Sequence, residues 1–312
     1  MTLERRIRLA EAAQRYYVDG WSQDAVADLL GTSRSNVSRL LETARRESVI
    51  RFVIDHPLRR HTALEDELRD AFAPVEVAVI ASADASLDLV GATAGRRLVE
   101  LLDGADRVAL GWGRTVEAVI RNLAVEHPLN IEVVQVGGDL TMAPAASGHE
   151  LVGRMAGAVG GRNRFLHAPA LLESSRVASD LRSDPRIRAE LDLARSADVA
   201  LIGIGIPGVG FAEAAIADSY RGSQSPAAVV CARLIDDEGN ELEGPLRERV
   251  VAIGLDDLQR IPTVMGVAAG AEKGRAVAAA LRGHLIDVLV CDQPAAAAAL
   301  EHAKTGVSHA AT

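Results

Sequence analysis

Four glycine-bearing segments in this 312-residue chain could close a backbone around a small polar ligand. They are Gly111-Trp112-Gly113-Arg114-Thr115, Gly137-Gly138-Asp139, Gly203-Ile204-Gly205-Ile206-Pro207-Gly208, and Gly266 to Gly270 followed by Glu272-Lys273. Glycine lets backbone N–H groups approach an anion, and a helix N-terminus adds roughly half a positive charge. Thr115 contributes a hydroxyl, and Arg114 and Lys273 contribute full charges, a set that suits a phosphate or a polyol. Lys273 stands out because the chain has only two lysines, Lys273 and Lys304, against 32 arginines. Gly111 to Thr115 forms neither the dinucleotide fingerprint nor a Walker A loop, so no nucleotide cofactor is indicated. No metal-ligand spacing is present either. Cys231 and Cys291 are sixty residues apart in apolar runs and read as buried small hydrophobes.

A second set of residues points to nucleic acid. Ser33, Arg34, Ser35, Asn36, Ser38 and Arg39 are polar positions on one short helical pattern, whose opposite face is Val37, Leu40, Leu41 and Ala44. Arginine can grip guanine with two hydrogen bonds and asparagine can do the same to adenine, while serine bonds to bases or phosphates. Arg45, Arg46 and Arg51 suit phosphate contacts, which add affinity but little sequence information.

These residues need elements to hold them. Between Leu3 and Glu47 three helices fit, the first carrying Ile7, Leu9, Ala10, Ala13 and Tyr17 at helical spacing. Gly20 ends the first, Ser22 caps the second, Gly31 makes the next turn and Ser33 caps the third. Ala27 lies four residues before Gly31, with Val37 and Leu40 six and nine after it. A helix-turn-helix needs a small residue where its helices touch, a glycine at the turn and apolar residues beneath the second helix. All fall in register, so the third helix reads as the recognition helix and would enter the major groove. Ser22 and Gln23, opening the second helix, join this set. Ile50 to Ile54 reads as a short strand, a wing or tie, and His56 to His61 as a basic linker.

From Val75 onward strand patterns alternate with helical ones. The strands are Val75–Ile80, Arg107–Leu110, Ile131–Val136, Val199–Ile204, Ala228–Ile235, Thr263–Val267 and Leu285–Val290. Between them lie helices at Leu87–Leu102, Val116–Leu123, His149–Val159, Arg188–Arg195 and Glu272–Leu281. Such alternation predicts an α/β fold, a parallel sheet with helices on both faces, and ligands bind such sheets at the carboxyl ends of the strands. The predicted domains are residues 1–56, DNA-binding, and residues 57–312, effector-binding.

Bulk properties agree. Residues 1–60 carry 11 arginines and 8 acids, a net of +3, and the remainder carries 23 basic and 35 acidic residues, a net of −12. A mildly basic head on an acidic body suits a DNA-binding head with a separate body. No apolar run reaches the roughly 18–20 residues of a membrane span, and the N-terminus lacks a secretory signal, so a cytoplasmic protein with no membrane partner is expected.

The chain resembles the SorC family of sugar-responsive bacterial transcription regulators from about Arg6 to Leu300. The resemblance is carried by Tyr16-Tyr17 through Gly20-Trp21-Ser22-Gln23, by Ser33 to Leu41, by Gly111 to Thr115, and by Ala197-Asp198-Val199-Ala200 to Gly205. It continues in Ile261-Pro262 through Gly266-Val267-Ala268-Ala269-Gly270 to Lys273, and in Leu285-Ile286-Asp287-Val288-Leu289. It implies an all-α, winged-type helix-turn-helix joined to a Rossmann-like effector domain shaped like phosphosugar isomerases. It further implies a sugar or sugar-phosphate effector, double-stranded operator DNA as partner, and a homo-oligomer, dimer or tetramer. By position, Gly111, Trp112, Gly113, Arg114, Thr115 and Lys273 resemble phosphate-side contacts, with Gln135, Gly137 and Gly138 on the sugar side and Gly203, Gly205 and Gly270 completing the site. Two stretches depart from the family: Ala228-Val229 stand where Gly-Asp is common, and Val136 stands where Asn often precedes the glycines.

Two other readings compete. A sugar-phosphate isomerase-like enzyme would need a paired acid and base. Of Asp139, His149, Glu150 and Glu213, none pairs at a meaningful spacing, and His149 and Glu150 are adjacent, about 100° apart on a helix. The chain is therefore expected not to be an enzyme. An effector-blind DNA-binding scaffold is the other rival, opposed by four intact loops and Lys273.

Overall fold

The structure is a computed structural model, and it describes residues 3–47, 49–50, 59–72, 75–139, 147–208 and 225–306. The chain divides into two compact units, Met1–His56 and Pro57–Thr312.

The first unit is helical. Helix α1 spans Leu3–Ala13 and continues through a π-turn at Gln14–Val18, α2 spans Gln23–Leu29 and α3 spans Arg34–Arg46. Ser22 Oγ accepts the Ala25 N–H at 3.2 Å, and Ser33 Oγ accepts the Asn36 N–H at 3.3 Å, so both predicted caps form. Gly31 takes φ +57° at the turn. Leu9, Ala12, Ala13, Val26, Ala27, Val37, Leu41 and Ala44 make one small core. Ala27 sits inside it, and the Thr32 N–H closes onto the Ala27 carbonyl at 2.9 Å. The proposed wing lies mostly outside the described residues, as does Arg51.

The second unit is a three-layer α/β sandwich. Its strands are β1 (Glu76–Ile80), β2 (Arg107–Leu110), β3 (Glu132–Gln135), β4 (Arg162–Asn163), β5 (Val199–Gly203), β6 (Ala228–Val230), β7 (Arg233–Ile235), β8 (Thr263–Ala268) and β9 (Val288–Asp292). Seven of them form a parallel sheet in the order β1-β9-β8-β5-β2-β3-β4. Alternate side chains enter opposite layers, as a strand's two-residue period requires. Ala78, Ile80, Val108 and Leu110 face α5 (Leu87–Leu101), α6 (Arg114–Arg121) and α7 (Gly148–Val159). Val77, Val79, Ala109 and Val134 face the other layer, which includes α4 (Thr62–Phe72), α8 (Ser175–Ser183) and α9 (Pro185–Arg195). After β7 come α10 (Pro245–Arg249) and α11 (Leu255–Leu258), and the layer is completed by α12 (Gly274–Arg282) and α13 (Gln293–Gly306).

Three expectations are corrected. The single strand expected at Ala228–Ile235 is a hairpin of β6 and β7, because Cys231 and Ala232 take φ +49° and +64° and reverse the chain. The strand expected at Leu285–Val290 runs from Val288 to Asp292, because Leu285 and Ile286 are spent packing the approach to it. The described part of the expected linker, residues 59–61, is structured. The Ala81 N–H bonds to the Arg59 carbonyl at 2.7 Å and the His61 N–H to the Val79 carbonyl at 2.8 Å, so these residues pair with the outer edge of β1. Arg60 then meets the buried carboxylate of Glu65 at 2.6 Å, and that carboxylate also accepts the Val79 N–H at 2.9 Å.

A second backbone feature bears on the site. Residues 250–253 form an extended strap between the turn after β3 and the segment 168–172, through bridges Gly137–Ala252 and Leu171–Val250. The Gly138 N–H donates to the Val251 carbonyl at 2.8 Å, and the Ile253 N–H to the Val136 carbonyl at 2.9 Å.

Candidate functional site

The order of the parallel sheet locates the crevice. From β2 the chain steps outward to β3 and β4, then returns to β5 on the other side of β2 and continues to β8 and β9. The direction of winding reverses between β2 and β5, and such a switch point is where open α/β sheets bind ligands. The segments that leave β3, β2, β5 and β8 are the four glycine loops, and those strands are consecutive neighbours in the sheet. The loops of β2 and β5 touch: a Cβ on Gly203 would stand 3.1 Å from the Trp112 carbonyl oxygen.

Helix α6 opens at this point without a cap. Its N-cap is Gly113 at φ +120°, with no side-chain hydrogen bond and open space beside it. By contrast α5, α7 and α8 are capped by Ser86, Ser147 and Ser174. The first N–H groups of α6 have no intrahelical partner and no capping oxygen, so they are available to an oxyanion. Thr115 is in the same turn, and Arg114 is exposed there, with no carboxylate within ion-pair distance among the described residues. Lys273 comes from the far side. Its Nζ donates to the Ile204 carbonyl at 2.8 Å, just past the end of β5. Burial holds its ammonium below the ordinary lysine range; Glu272 opposes that shift and the nearby charge of Arg114 adds to it. An anion shared between two cations that repel each other, beside an uncapped helix start, would relieve that repulsion.

Gly270 holds this corner by another route. It takes φ +99°, and its N–H bonds to both carboxylate oxygens of Asp292, at 3.1 and 3.0 Å. Asp292 is fully buried and also accepts the N–H groups of Ser86 and Ala295, so it ties the ends of β8 and β9 to the starts of α5 and α13. Nothing in the sequence patterns singled it out. Its position at a strand end two residues before Pro294 is the one available signal.

The residues expected on the sugar side are built differently. Gln135 is buried; its Oε1 accepts the Leu166 N–H at 2.9 Å and its Nε2 approaches the Gly137 carbonyl at 3.4 Å. A Cβ on Gly137 would meet Ala252 at 2.6 Å, and one on Gly138 would meet the Ala168 carbonyl at 2.4 Å. This loop therefore stands beside the crevice with its glycines and amide engaged in internal packing. Gly205 is bridged to Val229 of the hairpin, and Gly111 donates to the Leu201 carbonyl at 2.8 Å. Trp112 is half-buried against both sheet layers and against Ala232, Val250 and Ala252.

Of the residues weighed for acid–base chemistry, the fold brings Asp139 and His149 together, which their spacing in the sequence does not suggest. Asp139 Oδ1 accepts the Gly148 N–H at the start of α7 at 2.8 Å, and its Oδ2 is 3.8 Å from His149 Nδ1. Glu150 points to Arg154, and Glu213 lies outside the described residues. Both cysteines are buried free thiols. Burial pushes the Cys231 thiol up to about 12 and Cys291 higher still, so neither supplies a thiolate near neutral pH.

In the first unit, Ser33, Arg34, Ser35, Ser38, Arg39, Arg45 and Arg46 are exposed on α3, opposite its buried stripe of Val37, Leu41 and Ala44. Asn36 is partly buried and its Nδ2 donates to Thr32 Oγ1 at 2.7 Å. Arg34 stands 3.9 Å from Asp24, both exposed, while Arg39 and Arg45 have no ion-pair partner among the described residues. Ser22 is exposed and Gln23 partly so, at the start of α2.

Comparison with known proteins adds four findings. A family model described as "Putative sugar-binding domain" matches residues 56–301. Among curated relatives, the transcriptional regulator LsrR of an Enterobacter species is 29% identical, covering 94% of this chain and 92% of the relative. The deoxyribonucleoside regulator of Bacillus subtilis is 26% identical, covering 96% and 98%. Among solved structures, the full-length sorbitol operon regulator SorC of Klebsiella pneumoniae superposes with a TM-score of 0.70 at 23% identity, covering 96% of this chain and all of that one.

Proposed function

This chain belongs to the sugar-binding domain family, and from that membership we propose that it is a DNA-binding transcription regulator of carbohydrate metabolism, controlled by a small sugar or sugar-phosphate effector. The observation that carries the effector site is the uncapped start of α6 beside Arg114 and Lys273, at the switch point of the sheet. Residues 57–312 form the effector domain, with the anionic or polyol end of the ligand held by Gly113, Arg114, Thr115 and Lys273. Residues 1–56 form the DNA-binding domain, with the exposed face of α3 in the major groove of double-stranded operator DNA.

A symmetric homo-oligomer, dimer or tetramer, would present paired recognition helices to a roughly palindromic operator, since two-fold proteins read two-fold DNA. Effector binding shifts the population of head arrangements by no more than its differential affinity for them. Such a protein acts in the cytoplasm, and among the described residues no helix is long and apolar enough to cross a membrane. The isomerase-like reading is disfavoured because the curated relatives are regulators and, among the described residues, Asp139 is engaged at the start of α7 and Glu150 by Arg154.

Melting the protein against a panel of sugars and sugar phosphates tests the effector site. A ligand at 100 times its dissociation constant stabilises the folded state by about 2.7 kcal/mol. Footprinting of operator DNA with and without the hit then tests the coupling. No melting shift across a broad panel, with DNA binding intact, would favour the effector-blind scaffold.

A further inference from the structure

A cavity of about 480 Å³ lies away from the crevice. Part of its wall comes from Arg195, Arg260 and Leu285, on the segments that enter β5, β8 and β9, and so near the amino ends of the strands. The effector crevice is at their carboxyl ends. The cavity is lined by five arginines, Arg182, Arg195, Arg233, Arg247 and Arg260, against three carboxylates, Glu241, Asp256 and Asp257. A smaller neighbouring cavity of about 340 Å³ shares Arg182, Arg233 and Arg247 and adds Glu243 and Glu248.

Four of these arginines have carboxylate partners. Arg195 and Arg260 share Asp257, at 2.9 and 3.3 Å. Arg247 pairs with Glu241 at 3.3 Å and with Glu243, and Arg233 pairs with Glu241 at 2.7 Å. Arg182 is the exception: no carboxylate among the described residues lies within ion-pair distance of it. Its Nη1 donates to the Glu248 and Val250 carbonyls at 3.0 and 2.6 Å, which leaves Nε and Nη2 without a hydrogen-bond acceptor among those residues. It is partly buried, and burial together with the like charge of Arg233 pulls its guanidinium below the ordinary arginine range, with the charge of Glu248 opposing that shift. A half-buried cation beside a second cation is costly unless an anion joins them.

The arginines are also held in place from behind. Arg182 grips the Glu248 carbonyl of α10 and the Val250 carbonyl of the strap, and Arg233 grips the strap at the carbonyls of Ala252 and Ile253, at 3.2 and 2.8 Å. Two guanidinium groups fixed on one strap in the lining of a ligand-sized cavity form a preorganised receptor. We propose that this cavity is a second ligand site, separate from the effector crevice, for a small multiply charged oxyanion bound between Arg182, Arg233 and Arg247. A phosphate ester and a di- or tricarboxylate present the same oxygens to guanidinium groups, and both chemistries fit.

The test uses full-length protein carrying Arg114→Ala and Lys273→Ala, so that the crevice loses both of its cations. Inorganic phosphate, pyrophosphate and citrate are titrated at ionic strength held constant with sodium chloride, and binding is read by calorimetry and by melting temperature. Saturable binding of at least one of the three is expected, with affinity lowered tenfold or more by Arg182→Gln; the probe that binds distinguishes phosphate from carboxylate recognition. Where Arg182→Gln fails to fold, Arg247→Gln, at an exposed residue outside the strap, takes its place with an expected loss of threefold or more. Absence of saturable binding overturns the proposal, and so does binding that the arginine variants leave unchanged. Because both crevice cations are already removed, neither result bears on the effector crevice.

Discussion

Lys273 and Arg114 come from sequence positions 159 residues apart and act on one point of the fold. A charged hydrogen bond contributes about 1.5–3 kcal/mol, so Lys273→Ala should weaken an anionic effector by about 10- to 100-fold. Calorimetry with the effector measures this, and operator affinity in its absence should not change. The reverse is expected on α3. Replacing Arg34 or Arg39 by alanine should cost about 1–3 kcal/mol of operator binding and relax specificity at one base pair, with effector affinity intact. Arg45→Ala should instead weaken all sequences alike and reduce the slope of log K against log salt by about one. Equal damage to both activities by either set would contradict the division of labour. Gln135 shows the limit of reading at this scale: an amide at a strand end is polar in any alignment, yet here its hydrogen bonds fasten Leu166 and approach Gly137.

At the level of elements, the position of α6 decides where its uncapped start lies, and α5 decides the position of α6. Gly91 of α5 packs against the backbone of α6, where a Cβ would lie 2.5 Å from the Ala118 carbonyl oxygen. Gly91→Val should therefore force the helices apart and destabilise the domain by about 1–3 kcal/mol, measured by urea unfolding, with effector affinity falling alongside. The edge of β1 depends on Glu65, whose buried carboxylate joins Arg60, Arg69 and the Val79 N–H. Glu65→Ala leaves that N–H unpaired and should cost about 2–4 kcal/mol. Neither device was legible. Gly91 sits inside a helical pattern where glycine usually weakens the helix, and Arg59-Arg60-His61 is as polar as any linker. By contrast the strands at Arg107–Leu110 and Val199–Gly203 were plain, because a strand buried on both faces is apolar throughout.

As a whole molecule the chain is two units with separate cores. The larger one contains the whole seven-stranded sheet and all four glycine loops, so a fragment of residues 57–312 should fold and bind effector with affinity within threefold of the full chain, while losing operator binding. The head, with a core of eight small or medium side chains, should be marginal alone, as expected of so short a segment. Circular dichroism melts of the two fragments, with calorimetry on the larger, check both expectations.

Local sequence patterns were enough to specify the three N-terminal helices and their caps, the alternation of strand and helix, and the four glycine turns, because each depends on residues within one or two turns of chain. The order of the strands was decided only by the tertiary structure. Lateral pairing depends on which apolar surfaces meet across long separations, and the local period is the same whichever neighbour a strand takes. The same folding engaged Gly137 and Gly138 in packing, left the start of α6 open, and brought Arg182 to a cavity wall with no ion-pair partner among the described residues. Each of those outcomes depends on partners distant in the chain, and no window of sequence contains both members of the pair.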